Sequence, residues 1–187
     1  VLTGTAMLAA VATVLMYMEF PIPIMPAFIK LDVSELPALI ASFAYGPVAG
    51  IVVCLIKNLI KLPSTSTAAV GELFNFVMGA LFVGVAGMVY RFKKTRSGAI
   101  LGAVLGALVM AIVSVPYNYF IVYPAYVVMY HLPLDAIIGM YQAINPNVNG
   151  LLNCLLVFNV PFTLCKGLLD VGLCFLIYKP LSPLLHK

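Results

Sequence analysis

The sequence predicts an all-α integral membrane protein with six transmembrane helices, and three observations lead to this prediction. Of the 187 residues, 64% are hydrophobic and only 9% are charged, whereas soluble domains are near half apolar and a quarter charged. The apolar residues form long runs, and a bilayer core of about 30 Å needs roughly 20 of them per straight helix. Pro and Gly lie between these runs. The composition therefore excludes a soluble enzyme, a disordered chain and a free nucleic-acid-binding protein, and predicts a single transmembrane domain over 1–187.

The first predicted span covers 1–20, and we expect a span rather than a cleaved signal because no basic segment precedes the apolar stretch in this sequence. A proline cluster at 21–26 prevents the helix from continuing and favours extended backbone. The loop over 21–31 is nevertheless apolar and includes Ile29 and Leu31. An apolar loop at a membrane face is expected to fold onto protein rather than to remain in water.

Two short spans are predicted next, over 34–45 and 47–62, with Pro47 suited to the first turn of the second helix. If these two helices are partly re-entrant, the number of spans falls to five. Lys57 and Lys61 lie four residues apart and therefore on one face of the second helix. We expect their ammonium groups to snorkel to the lipid headgroups.

Three longer spans complete the predicted bundle, over 68–90, 98–127 and 151–178. The last two contain internal prolines, which remove a helical hydrogen bond and are expected to kink them. The segment over 128–150 is rich in Asn, Pro and Gly, and it is predicted to be a long loop.

Charge placement predicts the orientation of the bundle, because cytoplasmic loops collect Lys and Arg. Four of the ten basic residues lie within 91–96, and Lys179 and Lys187 lie near the C-terminal end. Six spans place these two regions on the same side, so both termini are expected in the cytoplasm. The loops expected outside are 21–33, 63–67 and 128–150.

The sixth span carries an unusual polar face. Asn159, Thr163 and Lys166 are spaced i, i+4 and i+7 and therefore share one side of a helix. Polar groups within membrane spans are costly and usually mark functional sites. One alternative is an ion pair between Lys166 and Asp170, at i and i+4, that only satisfies itself. Another is that Asn159 makes a hydrogen bond between helices with no ligand involved.

Further polar and aromatic residues are predicted in the outer half. Glu72 and Asn75 share a face of span four, although Asn75 could serve only as an interhelical hydrogen-bonding residue. Span five contributes Asn118, Tyr119 and Tyr123. Together with the face of span six, these residues suit a flat, partly apolar ligand, because aromatic walls hold a ring system while amide, hydroxyl and ammonium groups orient its polar part.

Several other kinds of function find no support in the motifs. The sequence has no H-E-x-x-H motif, no Cys-x-x-Cys pair and no row of carboxylates that would form an ion path. It therefore predicts no metal site and no catalytic residue. Walker A is also absent, so any ATP-driven work must come from a partner.

Four stretches of the chain, taken in order, resemble one known family. They read FIKLDVSELPAL at 28–39 and continue with FAYGPVAG at 43–50, VGELFNF at 70–76, and PFTLCK at 161–166; Asn118-Tyr119 and Tyr123-Pro124 lie between the last two. Their order and spacing resemble the membrane-embedded, substrate-binding S components of energy-coupling-factor (ECF) transporters, and within them the riboflavin-binding members.

This resemblance implies a six-helix, ECF S-component-like bundle that binds riboflavin as a transported substrate and is not an enzyme. Asn118, Thr163 and Lys166 match positions that hydrogen-bond the ligand's polar groups, although relatives often carry Asn or Asp at the position of Thr163. The first loop is expected to enclose the ligand from outside. The remaining alternatives are an S component for another vitamin or precursor, and a membrane enzyme or scaffold that uses Lys166 and Glu72.

The resemblance also implies partners and a location. S components act in the plasma membrane of prokaryotes, surrounded by lipid, with a transmembrane coupling subunit and two ATPase subunits. Ala6 and Ala10 fit the pattern of small residues through which the first helix docks on the coupling subunit. Such spacing lets another helix approach closely, and internal packing is the alternative.

Overall fold

The computed structural model describes residues 1–26, 29–65 and 68–185. Nearly all of its regular structure is helical, which confirms the predicted all-α class. Phe28 of the first loop, Thr67 at the end of the 63–67 loop and Lys187 of the C-terminal end lie outside the described residues.

The chain begins with the apolar helix α1 (Leu2–Tyr17) and then turns through a short antiparallel hairpin. The hairpin pairs β1 (Phe20–Pro21) with β2 (Lys30–Leu31), so the two ends of the predicted first loop lie side by side. Its prolines exclude a helix but permit extended backbone. One edge of α1 is buried at Ala9 and Ala12.

The next two helices meet at a sharp turn. Helix α2 (Glu35–Tyr45) is buried at each position through Phe43, so this eleven-residue helix lies inside the bundle. Gly46 separates it from α3 (Pro47–Lys61) with φ of +108°, a conformation that glycine adopts without strain. Pro47 occupies the first turn of α3, as predicted.

Helices α4 (Val70–Phe92) and α5 (Arg96–Tyr117) pack closely against each other. A Cβ atom placed on Gly102 of α5 would lie 2.7 Å from the carbonyl oxygen of Ala86 on α4. Small residues therefore set the distance between these two helices. The basic segment between them is exposed.

The last two long helical stretches each contain a single π turn just before a proline. Helix α5 passes through a π turn (Asn118–Val122) into α6 (Tyr123–Tyr130), which has Pro124 in its first turn. Likewise, α8 (Leu151–Cys154) passes through a π turn (Leu155–Asn159) into α9 (Val160–Leu185), which contains Pro161. A proline ring clashes with the carbonyl four residues earlier. In both cases that carbonyl lies within the π turn, which relieves the clash.

The predicted loop over 128–150 is shorter than expected and partly helical. Helix α6 continues to Tyr130, and α7 (Leu134–Gln142) occupies the middle of the segment. Ile137 and Tyr141 of α7 are buried in a second core beside α6, α8 and the π turn before α9. The segment therefore packs as part of the fold.

Each of the six predicted spans coincides with helical structure, but the helices differ in length. Among the described residues, four helical stretches are long and apolar enough to cross a membrane. They are Pro47–Ser64, Val70–Phe92, Arg96–Tyr130 and Leu151–Pro180. Helix α1 is apolar but shorter.

Candidate ligand-binding site

A cavity lies where the first loop meets the start of α4, the two π turns and the first half of α9. It is at the end of α4 that carries Glu72, and α4 runs about 28 Å from there to Arg91 of the basic segment. Eight of the ten residues predicted to bind a ligand line this cavity. They are Ile29, Glu72, Asn75, Asn118, Tyr123, Asn159, Thr163 and Lys166.

The two other residues lie elsewhere. Leu31 lines a neighbouring apolar groove between the first loop and α9, to which Phe162 and Lys166 also contribute. Tyr119 is 40% exposed and packs edge-on against Phe120 instead of facing the cavity. The structure therefore does not bring these two residues to the cavity wall, and their part in ligand binding stays a prediction.

The π turn explains why Tyr123 reaches the cavity and Tyr119 does not. In a regular α-helix, residues four apart share a face, which would put Tyr119 and Tyr123 on the same side. A π turn closes its hydrogen bonds between residues five apart, so the side chain of Tyr123 aligns with that of Asn118. Tyr119 is rotated away from both, and neither hydropathy nor residue spacing reveals the extra residue in the turn.

Asn159 is held by two tyrosines in a closed triangle of hydrogen bonds. The Tyr141 hydroxyl donates to Asn159 Oδ1 over 2.9 Å, and Asn159 Nδ2 donates to the Tyr123 hydroxyl over 3.4 Å. The two tyrosine hydroxyls contact each other. If Tyr123 donates to Tyr141, all three groups donate and accept once, so the triangle fixes the orientation of the amide.

Other polar groups on the cavity wall have unused hydrogen-bonding capacity. Asn118 is buried, and its Nδ2 donates to the carbonyl of Ser114 over 2.8 Å. This hydrogen bond uses the amide nitrogen and leaves the amide oxygen, Oδ1, available to a ligand. Within the described part of the chain, Asn118 Oδ1 and the side chains of Asn75 and Thr163 have no hydrogen-bond partner. A ligand with hydroxyl and carbonyl groups would satisfy them.

Two acidic residues at the rim of the cavity are held by neighbouring groups. Thr65 donates a hydrogen bond of 2.7 Å to Glu72 Oε2. Glu19, two residues beyond the end of α1, forms ion pairs of 3.1 Å with Lys30 of the hairpin and 2.5 Å with Lys61 of α3. These ion pairs connect α1, the hairpin and α3 at one side of the cavity.

Lys166 pairs with carboxylates of the first loop and α2. Its Nζ lies 3.4 Å from Asp32 Oδ2 and 3.0 Å from Glu35 Oε2. The alternative pair with Asp170 is therefore wrong: Asp170 is buried, and both of its oxygens lack hydrogen-bond partners among the described residues. The ammonium group of Lys166 pairs with Asp32 and Glu35 instead of with Asp170.

Asp32 is ionised in this arrangement. Burial by itself raises the pKa of Asp32, but the ammonium groups of Lys166 and Lys57 and the hydrogen bonds from Ser34 outweigh it and bring that pKa down to about 2. The carboxylate therefore remains charged at physiological pH and holds Lys166 at the cavity wall.

The prediction that Lys57 and Lys61 snorkel to the headgroups is wrong. Lys57 is fully buried, and its Nζ lies 2.7 Å from Glu35 Oε1. Lys61 is also buried and pairs with Glu19. Both lysines face acidic groups inside the bundle, because α3 packs its polar face against α1 and α2.

Comparison with known proteins assigns the chain to a family. The family model for the substrate-specific component of ECF transporters matches residues 1–178. The chain belongs to this family. The described residues of this S component contain no group of three or more His, Cys, Asp or Glu that could hold a metal ion.

The S component is similar to two curated transporters over nearly its whole length. The riboflavin transporter RibU of Staphylococcus aureus (strain TCH60) is 34% identical over 182 residues, which cover 97% of this chain and 90% of that protein. The riboflavin transporter FmnP of Bacillus subtilis (strain 168) is 32% identical over 189 residues, which cover 100% of this chain and 94% of that protein. These relatives are transporters, so the enzyme alternative is set aside.

A solved structure supports the same assignment. The S component of a bacterial ECF transporter aligns with this chain with a TM-score of 0.77 and 33% sequence identity, and the alignment covers 100% of this chain and 97% of that chain. The ECF S-component fold predicted from the sequence motifs is therefore confirmed.

Proposed function

We propose that this S component binds riboflavin in the cavity between the first loop and α9. The observation that carries the proposal is the composition of the cavity wall, which places aromatic side chains beside hydrogen-bonding groups that have unused capacity. A flavin ring suits the aromatic part, and a ribityl chain offers hydroxyl groups to Asn118, Thr163 and Lys166. The names of the similar transporters favour the same ligand.

The remaining cavity residues have distinct proposed roles. Ile29 and Tyr123 contact the apolar part of the ligand, while Asn75, Asn159 and Glu72 bind its polar edge. Leu31, in the adjoining groove, supports the first loop over the ligand. Riboflavin is bound as substrate, and the whole chain acts as one substrate-binding domain.

The proposed location is the plasma membrane of a prokaryote, with six helices crossing the lipid. The shorter helices α1 and α2 accompany the four longer helical stretches across the membrane. The exposed basic segment at 91–96 lies at the far end of α4 from the cavity, and basic loops favour the cytoplasm. Riboflavin therefore enters from outside, and both termini are cytoplasmic.

A separate energising module completes transport in this proposal. It consists of a transmembrane coupling subunit and two ATPase subunits. Ala6 and Ala10 lie on the exposed face of α1, whereas Ala9 is buried. The exposed pair allows a partner helix to approach closely, which favours docking of the coupling subunit on this face.

The binding site is tested by titrating the purified protein with riboflavin and following the quenching of flavin fluorescence. Asn118→Leu removes a cavity acceptor and should raise Kd about tenfold or more, since a buried hydrogen bond that is lost costs about 1–3 kcal/mol. Tyr119→Leu alters the neighbouring exposed residue and should leave Kd within about twofold of the unaltered protein.

Two results would count against the proposal. Equal effects of the two substitutions would place the ligand elsewhere. Failure of the unaltered protein to quench flavin fluorescence would favour the second candidate, an S component for another vitamin or precursor, which the same cavity chemistry also permits.

A further inference from the structure

The ion pairs of Lys166 form part of a closed ring of contacts that continues behind the cavity wall. Lys57 Nζ donates to Glu35 Oε1 over 2.7 Å and to Ser34 Oγ over 2.6 Å. The Ser34 hydroxyl in turn donates to Asp32 Oδ1. Glu35 Oε2 and Asp32 Oδ2 both face Lys166. Lys57 is therefore connected to Lys166 by two routes, one through Glu35 and the other through Ser34 and Asp32, and the two routes close the ring.

This ring joins three segments that are far apart in the chain. Lys57 lies on α3 and Lys166 on α9, while the residues between them form the end of the first loop and the start of α2. Lys57 is fully buried and does not line the cavity, whereas Lys166 does. Lys57 can therefore influence a bound ligand through the ring without touching it.

The charges explain what Lys57 contributes. Two ammonium groups face two carboxylates in the ring, so its charges balance. An ammonium has three N–H donors. Lys166 can direct one to Asp32 and one to Glu35, and because Lys57 also neutralises these carboxylates, the third donor of Lys166 is available to a ligand. Without Lys57, the ammonium of Lys166 would be the one positive charge left in the ring for two carboxylates, which would draw it away from the cavity.

We propose that Lys57 is a positioning residue for ligand binding. It acts through Glu35 and Ser34 to hold Lys166 at the cavity wall and to fasten the end of the first loop to α9. This inference rests on the proposed function, because riboflavin is the ligand whose affinity reports the position of Lys166.

A double-mutant cycle separates positioning from a general structural role. Riboflavin Kd is measured by fluorescence quenching for the unaltered protein, Lys57→Met, Lys166→Met and the double variant. Lys57→Met should raise Kd about tenfold in the unaltered background and less than about twofold when Lys166 is already Met, since residues in one network are not additive. Equal losses in both backgrounds, or no loss in either, would overturn the inference.

A second variant covers the case in which Lys57→Met does not fold. Ser34→Ala cuts the same ring without removing a charge, and its effect on Kd should also disappear in the Lys166→Met background. Ser42→Ala is the matched control, because this buried α2 hydroxyl bonds the carbonyl of Val83 outside the ring. Its effect should be the same in both backgrounds.

The outcomes distinguish this inference from the proposed function. If the unaltered protein binds riboflavin and the Lys57 and Ser34 effects persist without Lys166, only the positioning role fails. If the unaltered protein does not bind riboflavin, both proposals fail. The positioning role is supported if Ser34→Ala lowers affinity only when Lys166 is present, while the effect of Ser42→Ala is the same with and without Lys166.

Discussion

Removing the hydroxyl of Tyr141 tests whether the segment over 128–150 shapes the cavity. Tyr141→Phe keeps the buried ring but deletes two of the three contacts in the triangle, those to Asn159 and Tyr123. At about 0.5–1.5 kcal/mol per neutral hydrogen bond, the substitution should lower the free energy of unfolding by about 1–3 kcal/mol. For a chain of this size, that corresponds to a fall in Tm of about 2–12 °C.

The same substitution should weaken ligand binding. Without the Tyr141 donor, Asn159 Oδ1 loses its hydrogen bond and the amide is free to rotate away from the orientation set by the triangle. We expect riboflavin Kd to rise about tenfold, equivalent to about 1.4 kcal/mol. The measurements are thermal unfolding in detergent by circular dichroism and a flavin fluorescence titration.

Tyr119→Phe is the matched control for this experiment. Tyr119 is 40% exposed, and its hydroxyl makes no hydrogen bond to the described residues. Its loss should change neither Tm nor Kd. If Tyr141→Phe also leaves both unchanged, the triangle does not orient Asn159 and the reasoning is refuted.

The remaining predictions concern charge and packing. Lys166→Met should raise riboflavin Kd about 10- to 150-fold, the value of a hydrogen bond to a charged group, and an unchanged titration would show that the ammonium does not bind ligand. The pKa of Asp32 is about 2 in the folded protein, below its ordinary value of 3.8. The ionised Asp32 carboxylate therefore stabilises the fold fully above about pH 4, and this stabilisation is lost as pH falls towards 2. It amounts to about 2 kcal/mol. Thermal unfolding between pH 2 and 6 should therefore change less steeply for Asp32→Asn than for the unaltered protein, and equal slopes would contradict this. Gly102→Ala should lower stability by about 1–3 kcal/mol through overpacking against α4, whereas Gly139→Ala, which has open space around its Cβ position, should not; similar losses at both sites would contradict the packing argument.

Local patterns in the sequence were sufficient to predict the helices and most of the cavity. Asn159, Thr163 and Lys166 are close in the chain, and helical spacing alone places them on one face. That face lines the cavity in the structure. A regular helix over 118–123 would put Tyr119 and Tyr123 on one face, but the π turn adds a residue that hydropathy does not detect, and only Tyr123 lines the cavity.

Partners from distant parts of the chain could not be predicted in the same way. Lys57 pairs with Glu35 across 22 positions, and Lys166 pairs with Asp32 across 134. The direction of a lysine side chain depends on which helices pack together. Composition alone therefore predicted that Lys57 and Lys61 snorkel to the headgroups, whereas the fold places a carboxylate beside each of them. Tyr141 was missed for a similar reason, since its segment has the composition of a loop.

Mass spectrometry of the small molecule that copurifies with the protein tests the central claim most directly. The protein is purified from cells grown with riboflavin, and the bound material is released by denaturation and quantified per chain. We predict riboflavin at up to one molecule per chain, with less in Asn118→Leu and an unchanged amount in Tyr119→Leu. A different vitamin in its place, or the absence of any flavin from protein that remains folded, would contradict the account.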